Sequence, residues 1–512
     1  MIGLDRARLT CADIVAAARH DEPVVLDADA RDRAARSHEL AVRLSGERAI
    51  YGRSTGVGAN RSIPVAATNE HALALLRSHA ASAGPFRSRE RVRAMLVVRL
   101  GQLAAGGSGA SPALLDALAA MLAAGALPLV REHGSVGTGD LAALATAALA
   151  LAGEAPVTSP LPSVLTVTPF TFTPHDALPF LSSNAAVIGD AALACADLSM
   201  LARSAVVVAG MSFAATGGNA EAFAEVVERV TPFEGARDVC RWMRSLTAGG
   251  PGPRRIQDTF GLRTLPQVHG PLLDVLAALE GVVTALANAP GENPVVLGDA
   301  GQLAHHGGFH AAYLGQALDT AVLAVAQAAQ LVLARVGSLV DPVATGLTPF
   351  LGDGTPGASG VMMLEYIAAA ALGDLRALAA PAGLQSVVLS RGVEEDASFA
   401  SLAARQALGA VGPLRTLLAC ELVAAVRALR MLGLGGLAPA GELLQAAMDT
   451  CAPLPGQRED RDLSADVELA EQLLDRLAEL LPPAEAALSR RPRSVAAPRR
   501  RTRACGAGDR SC

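Results

Sequence analysis

Five short stretches hold the residues whose types could do chemistry. "IYGRSTGVGANRS" presents one phenol, Tyr51, in a loop with Gly52, Gly56 and Gly58. A phenol can move protons, with a reference pKa of about 10. The glycines alone say little, because a phosphate cradle would need a strand–loop–helix context. "LLRSHAASAG" sets Ser78 and His79 on a helical pattern; a helical histidine by itself is more often structural or exposed than functional. "HGSVGTGDLAAL" places Gly137, Thr138 and Gly139 just before another helical pattern, and taken alone reads as a glycine turn at a helix start. "RIQDTFGLRTLPQVHG" carries Gln257, Asp258, Phe260, Arg263 and Gln267. Arg263 there could grip a carboxylate with two parallel N–H bonds, although a surface salt bridge is the commoner use. "SRGVEEDASFAS" puts Glu394, Glu395 and Asp396 ahead of a helix, where acidic residues ordinarily complement the helix dipole.

The elements that must position these residues are mostly helices. "EPVVLDADA" reads as a strand running into a helix start, and "ASPALLDALAAMLAAGALP" as a helix opened by Ser-Pro. From "NAAVIGDAALACADLSMLARSAVVVAGM" onward, long Ala/Leu-rich helices dominate, at "GPLLDVLAALEGVVTALANA", "AAYLGQALDTAVLAVAQAAQLVLARVG", "GVMMLEYIAAAALGDLRALA" and "SLAARQALGAVGPLRTLLACELVAAVRALRML". Alanine-rich faces let helices approach closely, so a long bundle is the natural packing. Apolar surface on more than one side of such helices fits burial inside an oligomer. The division expected is 1–200, a mixed helix-and-loop region, 201–489, a bundle, and 490–512, a basic tail. That tail, "RPRSVAAPRRRTRACGAGDRSC" preceded by Arg490, reads as a solvated, disordered segment with eight Arg from 490 on.

Composition bounds the rest. The 512 residues are 51% apolar, 18% charged and only 3% aromatic, so Leu, Ala and Val must fill a large core. All 43 basic residues are Arg, and the net charge of -6 gives no reason to expect nucleic acid. Seven dispersed cysteines without CxxC spacing point to reduced thiols in a cytoplasmic protein, with no zinc site. The first residues, "MIGLDRARLTCADIV", lack a secretory apolar run. The apolar helix at about 321–336 includes Arg335 and follows Asp319, which favours a buried bundle helix over a membrane span.

In combination and in this order, the five stretches resemble the aromatic amino acid lyase family: histidine and phenylalanine ammonia-lyases and related aminomutases. The likeness runs from about Val24 to about Leu432 and is strongest to histidine ammonia-lyases. Family patterns "YGxxTGFG", "GSVGASGDLAPLA", "QDxYSLRxxPQVxG", "DNPL", "GGNFHxxP" and "QEDHVS" are similar to "YGRSTGVG", "GSVGTGDLAALA", "QDTFGLRTLPQVHG", "ENPVVL", "HGGFHAAY" and "EEDASF" here. The resemblance implies a mainly α, fumarase/aspartase-like fold: a long central bundle with an N-terminal region carrying an electrophile loop. It also implies a homotetramer whose sites draw on several subunits, and a small amino acid as substrate, with no metal or nucleotide.

The implied reaction removes ammonia from an α-amino acid. The family does this with a methylidene-imidazolone made by cyclising Ala-Ser-Gly with loss of two waters. The glycine nitrogen attacks a carbonyl two residues back, where a Cβ would obstruct it. By resemblance, Tyr51 is the base for the β-proton, and its surroundings are expected to favour the phenolate through helix N-termini or Arg. Arg263 anchors the carboxylate, and Glu395 stands near the substrate amine or imidazole. Ser78-His79 matches the "SH" of histidine lyases, favouring an imidazole over a phenyl ring.

The departures gather around the electrophile. "GASGDL" becomes Gly137-Thr138-Gly139-Asp140-Leu141, in a loop one residue shorter, which removes up to about 3.5 Å of reach. Gly-Thr-Gly still holds an attacking nitrogen, a carbonyl and a β-hydroxyl, so it could give an ethylidene-imidazolone, a more hindered electrophile; a plain glycine turn is the competing reading. The lid tyrosine is Phe260, which has no proton to give. An asparagine of the family falls on Ser182 in ungapped alignment, with Asn184 two residues on, and Gly308 stands in place of another asparagine. Three functions stay open on these residues: an ammonia-lyase or aminomutase with an atypical electrophile, an enzyme using Tyr51 and Arg263 for another elimination or addition, and a non-catalytic ligand-binding relative.

Overall fold

The computed structural model describes residues 1–4, 8–158, 168–250, 252–433 and 441–482. Helix starts follow local chemistry. Asp27 accepts from the Ala30 N–H to open Ala28–Ser45, Thr68 from His71 to open Asn69–His79, and Ser111 from Leu114 to open Pro112–Ala123. The "EPVVLDADA" strand is Val24–Leu26, paired in parallel with Ile2–Leu4. The helix containing Ser78 stops at His79; beyond it Ala83–Phe86 pairs antiparallel with Arg131–His133, which delivers the chain directly into the Gly137 loop.

Five long helices form the core of the molecule: Ala185–Thr216, Leu265–Ala287, Ala312–Val340, Met363–Leu378 and Ala400–Met431. Ala185–Thr216 packs along Ala400–Met431 and across Arg89–Ala104, while Ala312–Val340 packs on Ala400–Met431 and Leu265–Ala287. Small residues make the close crossings possible. A Cβ on Gly189 would lie 2.9 Å from the backbone of Ala94 and Met95. The division expected at 200/201 is corrected here, because that point lies in the middle of the unbroken helix Ala185–Thr216. The change from loops to bundle comes ahead of Ala185.

Buried charges fix the register of this bundle. Arg335 and Glu421, both fully buried, form two hydrogen bonds of 2.6 and 2.9 Å, and Ser212 donates to Glu421 at 2.6 Å. Arg335 also donates to the Gly261 carbonyl at 3.1 Å, which ties the Phe260–Arg263 segment to the core. Removing one partner of such a pair costs about 3–5 kcal/mol, because the other charge is left buried.

Among the described residues, five helical segments could cross a membrane by length and composition, and in this fold they pack on one another. Their burial is uneven: the most apolar window is 72% buried in Ala177–Thr216 but 39% in Leu265–Ala287 and 28% in Met363–Leu384. The helix end expected near Ser489 and the Arg-rich tail lie outside the described residues, as do Cys505 and Cys512. Cys11, Cys195, Cys240, Cys420 and Cys451 are buried free thiols.

Candidate active site

The Gly137-Thr138-Gly139 loop is folded back on itself. Gly137 and Gly139 take φ of +89° and +113°, conformations that L side chains rarely adopt. Both glycines are buried, and Thr138 between them is half-buried. Three consecutive carbonyls of the loop are tied to the start of Ala400–Met431. Ser401 Oγ donates to Ser135 O at 2.8 Å, Phe399 N to Val136 O at 2.8 Å, and Ser398 Oγ to Gly137 O at 2.9 Å. The Ala311 N–H donates a second bond to Gly137 O, at 3.1 Å. On the other side, Gly139 N donates to Asn184 Oδ1 at 3.1 Å. The Asn184 amide also donates to Phe309 O, so its oxygen is aimed at Gly139. Asp140 N donates to Ser183 O at 2.7 Å, and Val187 N to the Asp140 carboxylate at 2.9 Å. Burial raises the Asp140 carboxyl above its ordinary range, against the pull of that Val187 bond.

Buried ionic groups hold this geometry from behind. Arg91 bonds Glu132 at 2.6 Å and Asp190 at 2.8 Å, and Arg87 meets Asp190 at 2.9 Å. They lock the strand entering the loop to the helix beyond it. Arg99 pairs with Glu292 at 2.8 Å and donates to Phe180 O at 3.1 Å; Ser183 donates to Gln102 at 2.6 Å. The turn that delivers Asn184 is thereby fixed to Arg89–Ala104.

Thr138 and Gly139 line a cavity of about 550 Å³ together with Tyr51, Arg61, Ser182, His305, Phe309 and Glu394. Tyr51 Oη accepts from the Gly58 N–H at 2.8 Å, so the second half of the glycine loop folds over the phenol. Its backbone N–H donates to His305 Nε2 at 3.2 Å. The expectation that the surroundings favour the phenolate is corrected within this chain. Burial pushes the Tyr51 phenol above its ordinary value, and nearby Glu394 adds to the rise, outweighing the Gly58 bond and Arg61.

The other sequence-derived residues fall elsewhere. Arg263 and Gln257 line a separate cleft of about 400 Å³ with Asn219, Asp258 and Gln267. The Arg263 guanidinium stacks 4.7 Å from the Phe260 ring, which is itself 62% exposed, and its Nε is buried without a partner. Ser78 and His79, at the end of Asn69–His79, lie outside the lining of both cavities. His79 Nδ1 lies 2.9 Å from Leu75 O and 3.0 Å from Ser78 Oγ. Glu395 is exposed and its neighbour Glu394 lines the cavity. Between Ser182 and Asn184, it is Asn184 that bonds the loop, while Ser182 Oγ accepts from Asn293 N at 3.0 Å. Gly308 N donates to His306 Nδ1 at 2.9 Å.

Sequence reasoning missed Ser398, Arg61 and His305. Ser398 and Arg61 lie within quoted stretches and His305 just ahead of one, but only the fold brings them to the loop or the phenol. Among the described residues, no cluster of three or more His, Cys, Asp or Glu could hold a metal ion.

A helical bundle in which a glycine-flanked hydroxyl and a half-buried phenol line one cavity defines a class of enzyme. The sequence model of the family described as aromatic amino acid lyase matches residues 9–451, and the chain belongs to that family. It is accordingly an enzyme of the carbon–nitrogen lyase class. The chain is 35% identical to a histidine ammonia-lyase of Symbiobacterium thermophilum, over 91% of this chain and 95% of that one. Among solved structures it is similar to histidine ammonia-lyase from Trypanosoma cruzi, with a TM-score of 0.85, 25% identity and coverage of 94% and 96%. It is also similar to tyrosine aminomutase from Streptomyces globisporus, with a TM-score of 0.86, 26% identity and coverage of 94% and 97%.

Proposed function

We propose that this enzyme eliminates ammonia, without oxidation, from histidine or a related amino acid with an aromatic-type ring. It would use an imidazolone made from Gly137, Thr138 and Gly139 and act as a homotetramer in a reducing, cytoplasmic setting. The observation that carries the reading is the shared cavity of Tyr51 with Thr138 and Gly139. A proton acceptor and a site for an electrophile stand on one space large enough for an amino acid.

The loop fits the group. The carbonyl that must be attacked accepts two hydrogen bonds, and the nitrogen that must attack donates to an oriented oxygen. Both glycines take positive φ, a conformation that side-chain-bearing residues rarely adopt. When formed, the imidazolone supplies an electrophilic carbon that makes the substrate's amine a leaving group.

Tyr51 takes the β-proton in this reading. The resting group is the neutral phenol, so the base form grows with pH. His79 lies outside the Tyr51 cavity, and its assignment to the substrate's ring rests on the likeness to histidine ammonia-lyases. Arg263 does not line the Tyr51 cavity. The proposal therefore has the carboxylate gripped by Arg263 from a neighbouring copy. Partly covered apolar windows in Leu265–Ala287 and Met363–Leu384 supply the surface for such copies.

The test is conversion of histidine to urocanate, followed by ultraviolet absorbance. Turnover lost in Tyr51→Phe supports the reading. Absence of turnover with histidine, together with turnover of a phenyl amino acid, would overturn the substrate assignment.

A further inference from the structure

We infer that Ser398 is a positioning residue for closing the electrophile ring: its hydroxyl polarises the Gly137 carbonyl and fills the space a side chain at 137 would need. This rests on the reading that the loop cyclises. The geometry adds what the reading does not contain, namely how a loop one residue short is brought to react.

Closure forms a bond from Gly139 N to the Gly137 carbonyl carbon, and the carbonyl π pair moves onto oxygen. That oxygen sits between the Ser398 hydroxyl at 2.9 Å and the Ala311 N–H at 3.1 Å, two donors aimed where charge develops. Asn184 Oδ1 accepts the Gly139 N–H and draws electron density onto the attacking nitrogen. The oxygen takes up the Gly139 amide proton and leaves as the first water with the Thr138 amide proton, giving a C=N bond. Thr138 then loses its hydroxyl with its Cα proton as the second water, giving a C=C bond. Nothing is oxidised or reduced.

Two further observations single out Ser398. It is buried, at 7% exposure, and a Cβ built on Gly137 would lie 2.1 Å from its Oγ. Glycine at 137 and serine at 398 are therefore a matched pair: an alanine at the head of the triad would collide with the hydroxyl that activates it. In addition, Ser398 is one point of a three-point clasp, with Phe399 N on Val136 O and Ser401 Oγ on Ser135 O. Phe399 holds φ +48°, a strained value for a side-chain-bearing residue, between the two serines. The clasp draws the shortened loop against the helix start.

The experiment compares full-length wild type, Ser398→Ala, Ser398→Thr and Ser401→Ala by intact mass and near-ultraviolet absorbance, with circular dichroism to verify folding. Ser401→Ala removes a similar hydroxyl–carbonyl bond from the clasp without touching the reacting carbonyl. The expected result is wild type, Ser398→Thr and Ser401→Ala lighter by two waters. Ser398→Ala, closing about a hundredfold more slowly, should remain largely at full mass. Ser398→Ala as completely dehydrated as wild type would overturn the inference and leave the proposed function standing. Equal impairment in Ser401→Ala would also overturn it, since tethering alone would then explain the effect. Wild type at full mass would instead sink the cyclisation reading on which the inference depends.

Discussion

The Gly137 loop and the Arg263 segment are finished to different degrees within one chain. The loop is buried, hydrogen-bonded at consecutive carbonyls and backed by the Arg87, Arg91, Glu132 and Asp190 ionic network. The Arg263 segment is held by buried Leu262 and by the Gly261 carbonyl, but Phe260 faces solvent and the Arg263 Nε is buried without a partner. The groups proposed to make and break bonds are held inside this chain, whereas the arginine proposed to grip the carboxylate stands in a separate cleft beside an exposed ring.

Single substitutions separate the two regions. The largest effect is expected from Thr138→Ala, which removes the leaving hydroxyl; turnover should drop by about a thousandfold or more, to the level of a site without its electrophile. Tyr51→Phe comes next, with kcat reduced by about 10²- to 10⁴-fold and the mass of the loop unchanged, since the phenol acts on substrate and not on the ring. Arg263→Ala should act chiefly through KM, lowering kcat/KM by about 10- to 100-fold, and should leave the two-water mass loss intact. A mass change in that variant would mean that the two regions are not separable.

The smallest effect concerns pH. Because the Tyr51 phenol is raised, the phenolate fraction and kcat/KM should climb with pH through the basic limb. Glu394 contributes to the rise, so Glu394→Gln should lower the phenol's pKa and move that limb to lower pH. A limb that stays in place or moves upward would remove Glu394 from the electrostatics of the site.

Much of the fold was legible in sequence because the long helices announce themselves by Ala/Leu periodicity and by caps such as Ser111 and Asp27. A boundary at 200/201 follows a change in composition, which is not a break in a helix: Ala185–Thr216 runs through it. At the site, Tyr51, Thr138 and Arg263 were marked by residue type within glycine-rich or charged stretches. Ser398 was not, because a serine in "EEDASF" gains meaning only when helix packing sets its hydroxyl on Gly137. Glu394 and Glu395 could not be told apart by spacing; only the turn ahead of Ala400 decides which one lines the cavity. The Tyr51 expectation failed for a related reason, since burial depends on the whole fold.

If Gly137-Thr138-Gly139 becomes an electrophile, the intact mass of the purified enzyme records it. Wild type should be lighter than its sequence by two waters, with that loss abolished in Thr138→Ala. Wild type at its full sequence mass would contradict it.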